Sequence, residues 1–252
     1  MTRHFLNDRS EHEVLWFQRR SFISAAAAWT ATGGFASARA QSRGNIVELQ
    51  GDALLNGRRL LPQDTIQTGD QIATGPGSTL VFVVGDASFK VRQNTQMAVE
   101  RGTSINAVSI LRLLAGAVAS VWGRGNTRQV LTPTLTAGIR GTGVYAEVPA
   151  AGNGRSYFCN CYGTVDLAAH GERVTSVSDY HQAFWAEVQE RDGRMLTPAG
   201  AINHTDEELE VLARLLGQRT AWQIAGRKGV KDGRGYMDDK SGQPHPAMMP
   251  RR

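Results

Sequence analysis

The chain has 252 residues, 41% of them hydrophobic and 20% charged, with 28 Lys+Arg against 23 Asp+Glu and a formal net charge of +5. That balance excludes a largely disordered chain, and the length provides one or two domains with a buried core. Two cysteines exclude a disulfide-rich scaffold, and no apolar run reaches the roughly 18–20 residues of a membrane-spanning helix.

The first predicted element is an export signal over residues 1–40. Arg19-Arg20-Ser21-Phe22-Ile23 is a twin-arginine pair with an aromatic residue two positions later. A short Ala-rich stretch follows over residues 22–35, and Ala38-Arg39-Ala40 offers the small-x-small pattern of a cleavage site. The pair resembles a bacterial Tat signal. A Sec signal and an uncleaved anchor are the alternatives, and Thr30, Thr32 and Gly33-Gly34 count against the anchor. The mature chain is expected to start at Gln41 and to lie in the periplasm. Tat substrates cross the membrane folded, often with a cofactor already inserted, so a bound metal becomes a reasonable expectation.

Residues 41–177 read as a β domain. Ile46-Val47-Glu48-Leu49, Thr79-Leu80-Val81-Phe82-Val83-Val84, Phe89-Lys90-Val91, Gln96-Met97-Ala98-Val99, Val118-Ala119-Ser120-Val121-Trp122, Gln129-Val130-Leu131-Thr132 and Val144-Tyr145-Ala146-Glu147-Val148 are short runs rich in β-branched residues. Residues 109–114 fit a strand between such neighbours. Asn56-Gly57 and Gly85-Asp86 are hairpin signals. The predicted fold class is mainly β: an antiparallel sandwich or roll of short strands, followed by a small helical C-terminal extension.

That extension is predicted over residues 178–224. Residues 178–191, aromatic and charged, read as a loop with a helical turn. Thr205-Asp206-Glu207-Glu208 then opens one amphipathic helix with a capping box, and Leu209, Leu212, Ala213 and Leu216 share a face. Gly217 stands where a helix stop belongs. Residues 225–252 read as a flexible basic tail.

Three segments resemble the FecR-domain family. Gly69-Asp70-Gln71-Ile72-Ala73-Thr74-Gly75 is similar to its GD-x-I-x-TG signature. Val130-Leu131-Thr132-Pro133 through Gly138-Ile139-Arg140-Gly141-Thr142 resembles its TP…RGT block, and Tyr162-Gly163-Thr164-Val165 its closing strand. The resemblance covers residues 46–168 and implies an all-β periplasmic domain with a sensory role in signal transduction. The founding members sense an outer-membrane siderophore receptor and signal to a cytoplasmic sigma factor through a long N-terminal segment and a transmembrane helix. This sequence has twenty residues before its apolar stretch, so direct anti-sigma activity is not expected. The motifs have their own physical reading: Gly69-Asp70 a tight turn, Thr132-Pro133 a strand end, Arg140-Gly141-Thr142-Gly143 a bend with a buried or paired Arg.

One constellation has metal-like chemistry. Tyr157-Phe158-Cys159-Asn160-Cys161-Tyr162 reads as strand, which turns both thiols to one face with Cα atoms about 6.6 Å apart. That is near the upper limit for a disulfide, which would need a bend or bulge. Of the histidines outside the signal, His181 lies just past the β region and His204 just before the capped helix. His170 reads as a turn residue and His245 as solvated tail. A Cys-x-Cys strand, a histidine loop and an Asn-His-Thr-Asp helix start also resemble a proteobacterial subgroup of the family. The candidate metal set is therefore Cys159, Cys161, His181 and His204. Zinc or copper suits it, iron is not excluded, and c-type haem is disfavoured because Cys-x-x-Cys-His is missing. A Cys159–Cys161 disulfide, a redox pair and plain buried thiols stay open as alternatives.

The sequence holds no nucleophile elbow, P-loop or His-Glu-x-x-His. A non-enzymatic sensory or binding protein is the leading expectation. A structural envelope protein with a disulfide is the alternative, and a redox or metal-dependent enzyme the third reading. Asp206, Glu207, Glu208 and Glu210 are read as helix capping and a solvated face; Trp122, Trp185 and Trp222 as packing. The expected partner is an envelope protein or ligand of unspecified identity, with no transmembrane helix in the mature chain. Nucleic acid is not expected either: residues 41–216 hold 15 basic and 17 acidic residues, so the basic excess sits in the signal and the tail.

Overall fold

The computed structural model describes residues 44–102, 107–125 and 128–229. The expected export signal, and the tail from residue 230 on, lie outside the described residues. The first strands are β1 (Ile46–Gln50), β2 (Ala53–Leu55), β3 (Arg58–Arg59), β4 (Gln71–Thr74), β5 (Thr79–Val84), β6 (Ala87–Val91) and β7 (Gln96–Arg101). Then come β8 (Val108–Trp122), β9 (Arg128–Leu131), β10 (Thr136–Ile139), β11 (Gly143–Val148) and β12 (Ser156–Ala169). The last are β13 (Glu172–Ser178), β14 (Gln182–Arg191) and β15 (Arg194–Ala199), followed by helices α1 (Asp206–Leu215) and α2 (Ala221–Ala225).

These strands form two sheets that share β8 and β12. The first sheet runs β1-β5-β6-β8-β11-β12-β14-β15. The second runs β3-β2-β4-β7-β8-β9-β10-β12-β13. All pairings are antiparallel except β8 with β9. Each shared strand passes between sheets at a glycine of positive φ, Gly116 at 79° and Gly163 at 101°. A Cβ at Gly116 would stand 2.3 Å from Thr95 Oγ1, and one at Gly163 2.5 Å from Thr142 Cγ2. A register slip accompanies both corners, as strands that switch sheets require.

Three layers result. One core fills the space between the sheets, with Phe82, Phe89, Trp122, Leu111, Leu113, Val130 and Phe158 buried in it. A second core lies on the outer face of the first sheet, where Val121, Tyr145, Tyr157, Cys159 and Cys161 meet Leu209, Leu212, Ala213 and Trp222 of the helices. Polar contacts fix the helical layer. Ser88 Oγ donates to the Leu212 carbonyl at 2.8 Å, while Lys90 of β6 and Arg92, just after it, grip Glu208 at 2.8 and 2.7 Å.

The mainly-β fold with a small helical C-terminal part agrees with the sequence reading. The expected strands and both hairpins are present, and Asn56 and Gly57 adopt the positive φ of a two-residue turn. The capping box of α1 is formed, with Glu208 N–H bound to Thr205 Oγ1 and Glu208 Oε2 accepting from Thr205 N–H. Asp70 accepts from the Gln67 backbone N–H, and Arg140 is paired with Asp166 on the surface.

Four expectations need correction. Residues 178–191 are not a loop with a helical turn: β13 ends at Ser178 and β14 starts at Gln182. Phe184 and Ala186 face one core while Ala183 faces the other, so the strand lacks the polar alternation that marks a one-sided sheet. The β domain therefore does not stop at 177, because β14 and β15 extend the first sheet. The extension carries a second, short helix, and the start of the predicted tail is docked: Gly226 caps α2 and Lys228 is ion-paired.

Candidate metal centre

Cys159 and Cys161 lie on β12 just before its corner. Cys159 sits opposite Tyr145 on one side and Ala183 on the other. Pairing with β11 then skips a residue, from Val144↔Asn160 to Gly143↔Tyr162, so Cys161 is the bulged residue. The Cys161 carbonyl instead accepts from His181 N–H at 2.9 Å. Asn160, pointing the other way, donates to Gly163 and Ser176 and pins the corner. His181 takes φ 42° in the tight connection into β14, and His204 directly precedes the Thr205 cap.

The structure brings all four predicted residues together. Their ligand atoms lie within 4.8 Å of one another, and all four residues are buried. The two sulfurs are 3.8 Å apart and unbridged. Cys159 Sγ lies 3.6 Å from His181 Nδ1, Cys161 Sγ 3.5 Å from His204 Nε2, and the two nitrogens 3.0 Å from each other. Bonds of about 2.3 Å to sulfur and about 2.05 Å to nitrogen at tetrahedral angles give edges of about 3.8 Å (S···S), about 3.6 Å (S···N) and about 3.3 Å (N···N). The four observed edges follow that pattern to within about 0.3 Å, and the other two fall within the 4.8 Å span of the set.

Hydrogen bonds on the far side of each ring set the tautomers. His204 Nδ1 donates to the Ile202 carbonyl at 2.6 Å, which leaves Nε2 as a lone pair facing inward. His181 Nε2 donates to Asp206 Oδ1 at 3.0 Å, which leaves Nδ1 facing inward. Two lone pairs meeting at 3.0 Å repel unless a cation, a proton or a metal ion, lies between them. Electrostatics points the same way. Burial opposes a thiolate at Cys159, but contacts from Cys161, His181 and His204 outweigh it and hold the thiol well below its ordinary range. Burial likewise opposes charge on His181, yet Asp206 and Cys159 raise its pKa. The cluster favours anionic sulfur around a positive centre.

Aromatic rings wall the site. Tyr145 stacks on His204 at 4.6 Å between centroids, and Trp222 stacks on His181 at 5.2 Å. Tyr180 and Tyr162 pack edge-on against Trp222. Burial drives the Tyr145 and Tyr157 hydroxyls upward, so both stay neutral.

Sequence reasoning missed two participants. Asp206 is 3% exposed and holds His181, although a first-turn acid ordinarily faces solvent as Glu207 does. Lys228, in the supposed tail, binds Asp206 Oδ2 at 2.9 Å. The spacing of Asp206 two residues after His204 was the available signal. His170 is a turn residue, with φ 44° ahead of Gly171. His245 lies outside the described residues.

Comparison with known proteins adds little. No protein family and no curated protein matches the sequence. Two crystal structures of a candidate anti-sigma factor from Parabacteroides distasonis are similar, each at a TM-score of 0.43, with 14% and 15% identity. The alignments cover 58% and 60% of this chain and 65% and 66% of theirs, just under two thirds of their length. At that TM-score the likeness transfers nothing to this chain.

Proposed function

We propose that this chain is a non-enzymatic, FecR-like sensory or binding module of the bacterial envelope whose helical layer is fixed by one structural metal ion. The observation that carries the metal is the set of four ligand-atom spacings matching a tetrahedral Cys₂His₂ site. Zinc fits first, since two thiolates and two neutral imidazoles complete its shell and leave no position for a substrate. The span of 4.8 Å among the ligand atoms suits one ion rather than a two-iron cluster, where the cysteine and histidine pairs bind different irons. Such an ion would tie β12 to the starts of β14 and α1.

The envelope role rests on the motifs in residues 46–168 and on Arg19-Arg20. Replacing that pair with Lys-Lys is expected to leave the precursor in the cytoplasm, and unchanged export contradicts the Tat route. The metal is tested on protein exported with its native signal, beside Cys159→Ser and His204→Ala. Elemental analysis is expected to find one ion per chain in the parent, and far less in both variants. A parent lighter by two hydrogens, with that difference lost on reduction, supports the disulfide instead.

A further inference from the structure

We propose that Asp206 is the positioning residue of this centre: its carboxylate, paired with Lys228, fixes His181 as an Nδ1 ligand. The inference rests on the metal reading, and its test separates the two.

Asp206 is the first residue of α1, where an acid usually favours the helix dipole from the surface. Here the carboxylate is turned inward and is almost fully buried. A buried carboxylate is costly unless paired and hydrogen-bonded. Both of its oxygens are engaged. Oδ1 accepts from His181 Nε2 at 3.0 Å. Oδ2 accepts from the Tyr180 hydroxyl at 2.8 Å and from Lys228 Nζ at 2.9 Å. Trp222 closes the space over His181 and Tyr180, and its Nε1 donates to Glu210 at 2.7 Å. Water is thereby kept from the hydrogen bond, which strengthens it.

Three consequences follow from that arrangement. In the neutral imidazole the His181 proton is held at Nε2 by Asp206, so Nδ1 is the atom turned toward an ion. The ring plane is set before an ion arrives. The anionic acceptor makes the imidazole a better ligand, as carboxylates behind metal-bound histidines do. A dication with two thiolates is neutral, and Lys228 answers Asp206 while also reaching Glu207 at 3.2 Å and Glu210 at 3.6 Å. The helix start and the metal ligand are thus the same construction, and α1 cannot shift without moving His181's partner.

The test measures zinc and cobalt(II) affinity of the full mature chain by competition with a chromophoric chelator. Asp206→Ala is expected to bind about 10–100-fold more weakly than the parent. Asp206→Asn, which keeps an acceptor but loses the charge, is expected to fall between. Thr205→Ala removes the helix cap and leaves Asp206 in place, so it reports helix destabilisation alone; it is expected within about threefold of the parent. The cobalt absorption bands are expected to move in Asp206→Ala, because either ring nitrogen can then coordinate. Circular dichroism checks folding, and the near-isosteric Asp206→Asn decides alone if Asp206→Ala does not fold. Parent-like affinity in the Asp206 variants, or equal weakening by Thr205→Ala, overturns the positioning role while the metal stands. A parent that takes up neither ion overturns both.

Discussion

Glu208 joins the helical layer to the sheet, and its removal should be felt well beyond the helix. Its side chain is 14% exposed and meets Lys90 at 2.8 Å and Arg92 at 2.7 Å, themselves 17% and 32% exposed. The same carboxylate closes the capping box by accepting from Thr205 N–H at 3.1 Å. Breaking a fully buried pair costs about 3–5 kcal/mol, because the remaining charge is left without a partner. Water reaches Arg92 in part, so Glu208→Gln is expected to cost about 2–4 kcal/mol. Glu208→Ala also loses half of the capping box, which adds about 0.5–1 kcal/mol. The pH dependence has a definite sign. Burial would raise the Glu208 pKa, but Lys90, Arg92 and the Thr205 N–H lower it below its ordinary value. A depressed carboxylate stabilises above its unfolded pKa of about 4.3 and loses that contribution as pH falls through the lower folded value. Urea unfolding of metal-saturated parent and Glu208→Gln should therefore give a constant difference from about pH 8 to 5 and a shrinking one below about pH 4.3. A difference under about 1 kcal/mol at pH 7, or one that grows on acidification, would mean that Glu208 does not join helix and sheet in this way.

Other consequences are open to equally direct measurement. Trp222→Ala removes a 2% exposed ring from between His181, Tyr180 and Tyr162, and should lower stability by about 3–5 kcal/mol in denaturant titration. It should also speed metal loss to a chelator. Gly116→Ala forces a Cβ against Thr95 at a positive φ of 79° and should cost about 2–4 kcal/mol, with no change in metal affinity because the corner is in β8. Ser88→Ala breaks the contact with the Leu212 carbonyl and should cost about 0.5–1.5 kcal/mol, visible as earlier melting of the helical signal.

Much of this was legible in the residues. The capped helix at Thr205, the hairpin at Asn56-Gly57 and the Cys-x-Cys strand rest on local chemistry, and local chemistry is what sequence shows. The four candidate ligands came from residue types placed near strand and helix ends, together with the resemblance of the Cys-x-Cys strand, histidine loop and helix start to a family subgroup. Residues 182–191 were misread because sheet one is covered on both faces, which erases the period-two signal. The length of β8 and β12 was obscured by their corners, where Gly116 and Gly163 look like turn residues between two short strands. Asp206 and Lys228 were hidden by an adequate local explanation, a helix cap and a basic tail. Only the fold shows that one is turned inward and that the other follows it.

The proposed centre is a single tetrahedral ion held by Cys159, Cys161, His181 and His204. Elemental analysis of the mature protein, purified without chelator after native export, tests it most directly. One ion per chain is expected, zinc first, with both thiols unreactive to alkylation until the metal is stripped. Protein with no stoichiometric metal, and with thiols bridged or freely alkylated in the folded state, contradicts it.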